Sequence, residues 1–330
     1  MENIILIDWM SFTSKIDSTS SLIETLGMTS EDIVWQETYG FHGYKNRLYF
    51  MGISIHYNGF NDDIWLEMSG EGCRAFETYS KTGWEPIFDM LVENTEEYHV
   101  TRIDIAYDDF EKKIDIQNLA SETFKNNFIT KFKDAEVICK VRAEALTINY
   151  GSKGSDTFFR CYDKAKERKL EDIEHWVRFE VQLRDDRAIE FLKKRAECDS
   201  IGKLFFGVVN NYLRYIVPNE NDKNRQRWKT APFWSSWLEH AESISLYTPK
   251  NLDYNILHVE NFVYHQAGNA VDTLLRVKGY SKFIEELQER KPNQSLKYKE
   301  ILDNTKAQAE DPILRFIREN EEKNKYGRKN

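Results

Sequence analysis

Three short stretches of this chain place chemistry-bearing side chains at every second position. In Thr157–Lys169, TFFRCYDKAKERK, a strand reading turns Phe159 and Cys161 to one side and Arg160, Tyr162 and Lys164 to the other. A tyrosine between two cations is what a phosphate-attacking nucleophile would need, since the cations hold the phosphate and favour ionisation of the phenol. The same pattern also describes an ordinary cross-strand aromatic on a solvated face. In Val100–Asp109, VTRIDIAYDD, Ile103, Ile105 and Tyr107 share one side, while Arg102, Asp104, Ala106 and Asp108 share the other. Aspartate is depleted in strands. Two on one face are therefore either carboxylates for a metal or for acid/base work, or the solvated side of an edge strand. In Trp176–Arg184, WVRFEVQLR, the apolar side is Val177, Phe179, Val181 and Leu183, and the polar side is Arg178, Glu180, Gln182 and Arg184. That polar side is either a site with Arg178 keeping Glu180 ionised or a cross-strand ion-pair ladder worth little energy.

If these three strands are neighbours, Arg102, Asp104, Arg160, Tyr162, Arg178 and Glu180 form one concave polar face. It would hold a nucleophile, carboxylates for a divalent cation and cations for phosphate, a set suited to metal-assisted phosphodiester transfer. The surroundings of Tyr162 are basic. Between Ile138 and Lys169, Lys140, Arg142, Lys153, Arg160, Lys164, Lys166, Arg168 and Lys169 outnumber Glu144, Asp156, Asp163 and Glu167, in a chain whose net charge is -9. The acidic total argues against a chain coated in nucleic acid but leaves room for a local basic face. Gly151–Asp156, GSKGSD, brings Lys153 on a turn that either cradles phosphate or simply closes a hairpin; it lacks the P-loop pattern.

The elements that must position these residues follow from periodicity and turn chemistry. Strands are expected at 3–12, at Arg47–Tyr57 and at Asp63–Ser69, with a turn at Asn58-Gly59, and another at Ala145–Tyr150. Helices are expected at Pro86–Asn94, Ile114–Phe132, from Asp185 to Lys194, and at Phe205–Tyr215. The polar run Pro218–Lys229 reads as an interdomain linker whose Arg225, Arg227 and Trp228 could touch a DNA backbone. Helical segments follow at Ala231–Lys250, Asn255–Val277 and Tyr280–Glu289, with a last one at Ile313–Glu321. A length of 330 residues suits about two domains. The expected division is 1–217 for a catalytic α+β domain, 218–290 for a helical region in DNA recognition or an accessory role, and 291–330 for a polar, partly disordered tail. No apolar run is long enough for a membrane helix, and the first residues lack a signal peptide's basic start. Cys73, Cys139, Cys161 and Cys198 form no C-x-x-C pair, and the seven histidines are scattered without an H-x-H. Reduced thiols in a cytoplasmic protein are expected, and histidine-ligated metal is not.

Six stretches, taken together and in order, carry a resemblance. They are IDWMSFT at 7–13, SGEGCRAFE at 69–77, TRIDIAYDD at 101–109, NYGSKGSDTFFRCYDKAKE at 149–167, WVRFEVQLR at 176–184 and GVVNNYLRYIVPNENDKNRQRWKTAPFW at 207–234. Over most of residues 3–240 the chain resembles the replication initiation factor (Rep_trans) family: initiators of small rolling-circle plasmids, relaxases of conjugative elements and related phage proteins. The resemblance implies an α+β fold, a curved, mostly antiparallel sheet with helices on its outer side and a helical C-terminal region. It implies origin-specific nicking in which a tyrosine becomes joined to the 5′ end and leaves a 3′-OH. The tyrosine of the family's R-x-Y-[DE]-K pattern falls on Tyr162, with Lys164 beside it, and the metal carboxylates fall on Asp104 and Glu180. Mg²⁺ or Mn²⁺ suits such oxygen ligands. Arg102, Arg160, Arg178 and Lys153 are the expected DNA contacts. The expected partners are an origin presented as a single strand or extruded hairpin, a host helicase and a second copy of the chain, with no membrane. Tyr107, Tyr150 and Phe158 either stack on unpaired bases or pack in the core. A non-catalytic origin-binding protein of the same fold is the alternative.

Overall fold

The alternating stretches join one sheet. In the computed structural model, β1 (Ile4–Ser14), α1 (Thr19–Thr25), β2 (Gln36–Tyr39), β3 (Asn46–Phe50), β4 (Ile53–Tyr57) and β5 (Ile64–Met68) come first. The chain continues through α2 (Gly70–Tyr79), α3 (Trp84–Glu93), β6 (Tyr98–Asp109), α4 (Ile116–Phe124), β7 (Phe128–Thr130), β8 (Ala135–Lys140), β9 (Ala145–Tyr150) and β10 (Thr157–Asp163). It closes with α5 (Lys164–Arg168), β11 (Val177–Arg184), α6 (Asp185–Arg195), α7 (Ile201–Tyr212), β12 (Leu213–Tyr215) and α8 (Pro232–Leu238). The structure describes residues 3–238, apart from positions 17, 32, 171, 172 and 199, together with residue 263 and residues 268–289.

Ten strands pair antiparallel in the order β2-β3-β4-β5-β1-β6-β11-β10-β9-β8, while β7 and β12 form a separate pair. The sheet is curved, and β6, β11 and β10 are neighbours at its centre. Period-two alternation gives it two unlike faces. Ile103, Ile105, Phe159, Cys161, Phe179 and Val181 are fully buried on the apolar face, in one core with residues of α2, α4, α6, α7 and α8. Tyr107 packs there against Phe206 and Trp237, and Phe179 lies 5.0 Å from Trp237. The other face carries the charged side chains. Helix starts are set by side-chain caps: Ser18, Ser69, Asp115 and Ser200 each accept a hydrogen bond from a first-turn N–H.

Three expected elements divide, two of them where a residue adopts left-handed backbone. Arg47–Tyr57, read as one strand, is the hairpin of β3 and β4. Met51 (φ 42°) and Gly52 (φ 85°) form its two-residue turn. Methionine carries no turn signal, so the apolar run reads straight through it. The helix expected over Ile114–Phe132 stops at Phe124. Asn126 (φ 57°) turns the chain into β7, which pairs with β12. The last residues of the helix expected at Phe205–Tyr215 are that second strand.

The chain divides into two units, Met1–Thr248 and Pro249–Asn330, so the boundary expected at 217 falls inside the first. Pro218–Lys229 does not separate domains. Val217 N–H donates to Lys229 at 2.8 Å, and the Arg214 guanidinium donates to the carbonyls of Trp228 and Gln226. Arg225 and Arg227 are likewise engaged, with the Phe128 carbonyl and the Asp222 carboxylate. In the second unit α9 (Gly268–Lys278) and α10 (Tyr280–Glu289) meet at Gly279 (φ 79°). The tail expected at 291–330, with its helix at Ile313–Glu321, lies outside the described residues. Among the described residues no helix is long and apolar enough to cross a membrane.

The β3–β4 turn and the start of α2 touch backbone to backbone. A Cβ on Gly72 would lie 2.2 Å from the Gly52 carbonyl oxygen, whereas one on Gly154 would meet nothing within 4 Å. Gly72→Ala should lower the unfolding free energy by about 1–3 kcal/mol in urea melts. Gly154→Ala should stay within about 0.5 kcal/mol of the parent.

Candidate active site

The register converts strand neighbours into a site. Glu180 stands opposite Arg160 on β10, and Arg178 stands opposite Tyr162 on one side and Asp108 on the other. The Tyr162 hydroxyl donates to Glu180 Oε1 at 2.5 Å, and Lys164 Nζ donates to the Tyr162 oxygen at 3.1 Å. Arg160 Nε donates to Glu180 Oε2 at 3.1 Å, and the Arg160 guanidinium lies 4.2 Å from the centroid of the Tyr162 ring. The guanidinium that pairs with Glu180 is therefore Arg160's, across the strands, and not Arg178's along its own. Lys164 is not a strand residue but the first of α5, a helix capped by Asp163, and it also pairs with Glu167 at 2.6 Å.

The expectation that flanking cations favour ionisation of the phenol is overturned. Burial pushes the Tyr162 hydroxyl far above the ordinary tyrosine value. The negative charge of Glu180 and its hydrogen bond push it further, and Arg178 and Arg160 do not compensate. Tyr162 is a neutral phenol whose proton already points at a carboxylate.

Arg178 and Asp108 answer to each other. The Arg178 guanidinium donates from Nε and Nη2 to the two oxygens of Asp108 at 2.6 and 2.7 Å, and from Nη1 to Asp8 at 2.7 Å. At 5 % exposure it braces β11 against β6 and β1, so the guanidinium expected to meet DNA is occupied inside the fold. Asp8 went unnoticed in the alternation. Strict period two puts it with Met10 and Phe12 on the core face. A bulge between Ile7 and Trp9 lets both Asp8 and Trp9 oppose Asp104 on the polar face. An aspartate inside the apolar run IILIDWMSF was the available signal.

A cleft of about 440 Å³ opens over this face, lined by Asp8, Trp9, Gly70, Arg102, Asp104, Lys153, Phe158, Arg160, Glu180, Gln182 and Arg184. Tyr162 lies behind that lining, 3 % exposed. Arg102 grips Asp104 with two hydrogen bonds, at 2.8 and 2.5 Å. The Asp104 carboxyl is pushed up to about 6, first by burial, with Glu180 and Asp8 adding repulsion and Arg102 opposing it. Asp8, Asp104 and Glu180 are thus carboxylates close enough for Asp8 and Glu180 to repel the charge on Asp104. Among the described residues no three His, Cys, Asp or Glu side chains converge in ligand geometry. Of the expected stacking residues, Tyr107 and Tyr150 are core. The Tyr150 hydroxyl hydrogen bonds with that of Tyr215 at 2.6 Å, and only Phe158 reaches the cleft.

Residues 98–289 match the family model described as replication initiation factor, and residues 4–93 match the rolling circle replication initiation protein N-terminal domain. The first match alone spans more than half of the chain, which belongs to the replication initiation factor family. A candidate DNA relaxase, NicK of Bacillus subtilis (strain 168), is 26% identical over 265 residues, 76% of this chain and 74% of that protein. The structure of a rolling circle replication initiator protein from Geobacillus stearothermophilus superposes with a TM-score of 0.66 at 28% identity, covering 75% of this chain and 100% of the other.

The neutral phenol has a direct test. A phenolate absorbance titration up to pH about 10, where an ordinary tyrosine is half-ionised, should be identical for the parent and Tyr162→Phe. A phenolate present in the parent and missing from the variant would contradict the site as described.

Proposed function

We propose that this protein nicks one DNA strand at its origin and carries the cut end on Tyr162, starting rolling-circle replication or conjugative transfer. The observation that carries the reading is the 2.5 Å hydrogen bond from Tyr162 to Glu180 behind a cleft lined by cations and carboxylates. In the reaction the phenol oxygen attacks phosphorus and its proton passes to Glu180. The bond from phosphorus to the 3′ oxygen breaks, and the leaving oxygen takes a proton from water, giving a 5′-phosphotyrosine and a 3′-OH. Attack of a 3′-OH on the phosphotyrosine reverses these steps and joins strands.

Lys164, 3.1 Å from the phenol oxygen, offsets charge there as the proton leaves. Arg160 orients Glu180, and Arg102, Lys153 and Arg184 face the cleft where phosphate oxygens would lie. Asp104 and Glu180 would hold Mg²⁺ or Mn²⁺, which when bound polarises a phosphate oxygen. The DNA enters as a single strand or extruded hairpin. A host helicase and a second copy of the chain belong to the same reading.

Because Tyr162 is buried, attack requires Arg160 to give way so that the phosphate reaches the phenol oxygen beside Glu180 and Lys164. The same burial favours a second reading, a non-catalytic origin-binding protein in which Tyr162 is a structural donor. Supercoiled DNA from around the gene separates the two. The parent should nick it with Mg²⁺ or Mn²⁺ and stop with EDTA, and Tyr162→Phe should be inactive. Glu180→Gln should be slower by about 10²–10⁴-fold, the usual contribution of a general base. Sequence-specific binding by the parent without any nick would favour the second reading.

A further inference from the structure

Next to the nicking cleft the same polar face holds a second groove, of about 560 Å³. Trp9, Arg102 and Arg184 line both, so the two are continuous. The register extends the polar face across β1 and β5: Ser11 stands opposite Arg102 and Glu67, and Trp65 stands opposite Thr13 and His56.

The groove has the parts of a nucleobase site. Its wall is aromatic: His42 meets the Trp65 ring edge-on at 5.4 Å, and Trp65 and Tyr44 pack together. The half-buried Trp65 ring stacks on His56 at 4.6 Å and 22°, and Tyr44 lies 6.1 Å from it at 30°. Tyr44 is itself fixed by its hydroxyl, which donates to Asp63 at 2.8 Å. On the side toward the cleft, the Arg102 guanidinium lies 4.4 Å from the Trp9 ring centroid. The lining also includes Glu67, a half-buried carboxylate. Among the described residues no hydrogen bond or ion pair engages it. A carboxylate accepts only, so what it lacks is a donor. Burial pushes the Glu67 carboxyl above its ordinary value despite the cations His42, Arg102 and Arg47 nearby, which is the cost a donor from a ligand would offset.

We propose that this groove is a subsite for single-stranded DNA, in which Trp65 and Tyr44 stack one unpaired base of the nicked strand and Glu67 accepts hydrogen bonds from that base's amino group. The site then favours cytosine, adenine or guanine over thymine, which flanks its one ring N–H with two carbonyl oxygens. Stacking supplies sequence-tolerant affinity and the carboxylate supplies the preference. The inference rests on the nicking function proposed above, because it takes the nicked strand as the occupant.

The test uses the full-length chain and origin oligonucleotides carrying one abasic site at a time on either side of the nick. Binding is read by fluorescence anisotropy, and nicking is read in parallel. At one position the abasic site should weaken binding by the parent about tenfold to a hundredfold, as loss of a stacked base does. Trp65→Ala should lose that affinity and respond no further to the abasic site, while Trp65→Phe should restore the response. Thymine at that position should bind more weakly than the amino-bearing bases to the parent, and Glu67→Gln should narrow that gap. An abasic penalty equal in the parent and Trp65→Ala, or a flat scan in a parent that still nicks, overturns the subsite and leaves the nicking function intact. Coupling between Trp65 and one base in a parent that never nicks upholds the subsite and overturns the nicking function.

Discussion

A charge on an inner strand of a sheet must be met by an opposite charge or by hydrogen bonds, because leaving water costs several kcal/mol per ion. The polar face of this sheet is arranged by that constraint. Glu180 is 8 % exposed and is met by Arg160 and by the Tyr162 hydroxyl. Arg178 is met by Asp108 and Asp8, and Asp104 is met by Arg102. The pairings of Glu180 with Arg160 and of Arg178 with Asp108 and Asp8 cross strands and so depend on register, whereas Arg102 and Asp104 are alternate residues of one strand. A one-residue slip of β11 against β10 would send Glu180 to the core face and leave Arg160 unpaired.

The same constraint sets the protonation of the tyrosine. Burial disfavours charge on Tyr162, and the adjacent Glu180 disfavours it further, so the resting phenol keeps its proton. The proton's acceptor is already in contact. On the nicking function proposed above, charge separation is deferred until a phosphate stands in the cleft, where Lys164 and the arginines around it would act on developing charge. Arg178 serves this indirectly. By occupying both Asp108 and Asp8 it ties three strands together behind the cluster, which leaves Arg102, Arg160 and Arg184 as the guanidiniums that line the cleft.

The strands that carry the site were readable because their alternation is strict: Asp104, Glu180, Arg160 and Tyr162 were assigned to one face, and register brings them together. Adjacency of β6, β11 and β10 was not readable, since pairing order depends on tertiary packing. What alternation missed, it missed where period two breaks. The bulge at Asp8 moves a carboxylate from the core face to the cleft, and the Met51-Gly52 turn splits one apparent strand into two. Alternation along one strand also could not show which guanidinium faces Glu180, because that depends on the strand next to it. The ionisation of Tyr162 was misjudged for a related reason. Neighbouring cations are visible in sequence, whereas burial, the larger effect here, is not. In the aromatic surface beside the cleft, Trp65 lies on β5, whose hairpin with β4 is legible from the Asn58-Gly59 turn, whereas Tyr44 lies in the loop between β2 and β3, where no period marks it.

The central claim is that Tyr162 forms the bond to DNA. Its most direct measurement is mass spectrometry of the protease-digested complex formed with single-stranded origin DNA and Mg²⁺ or Mn²⁺. The account predicts a nucleotide attached through a 5′-phosphate to the peptide that contains Tyr162. Attachment to a different tyrosine, or cleaved DNA with no peptide attached, would contradict it.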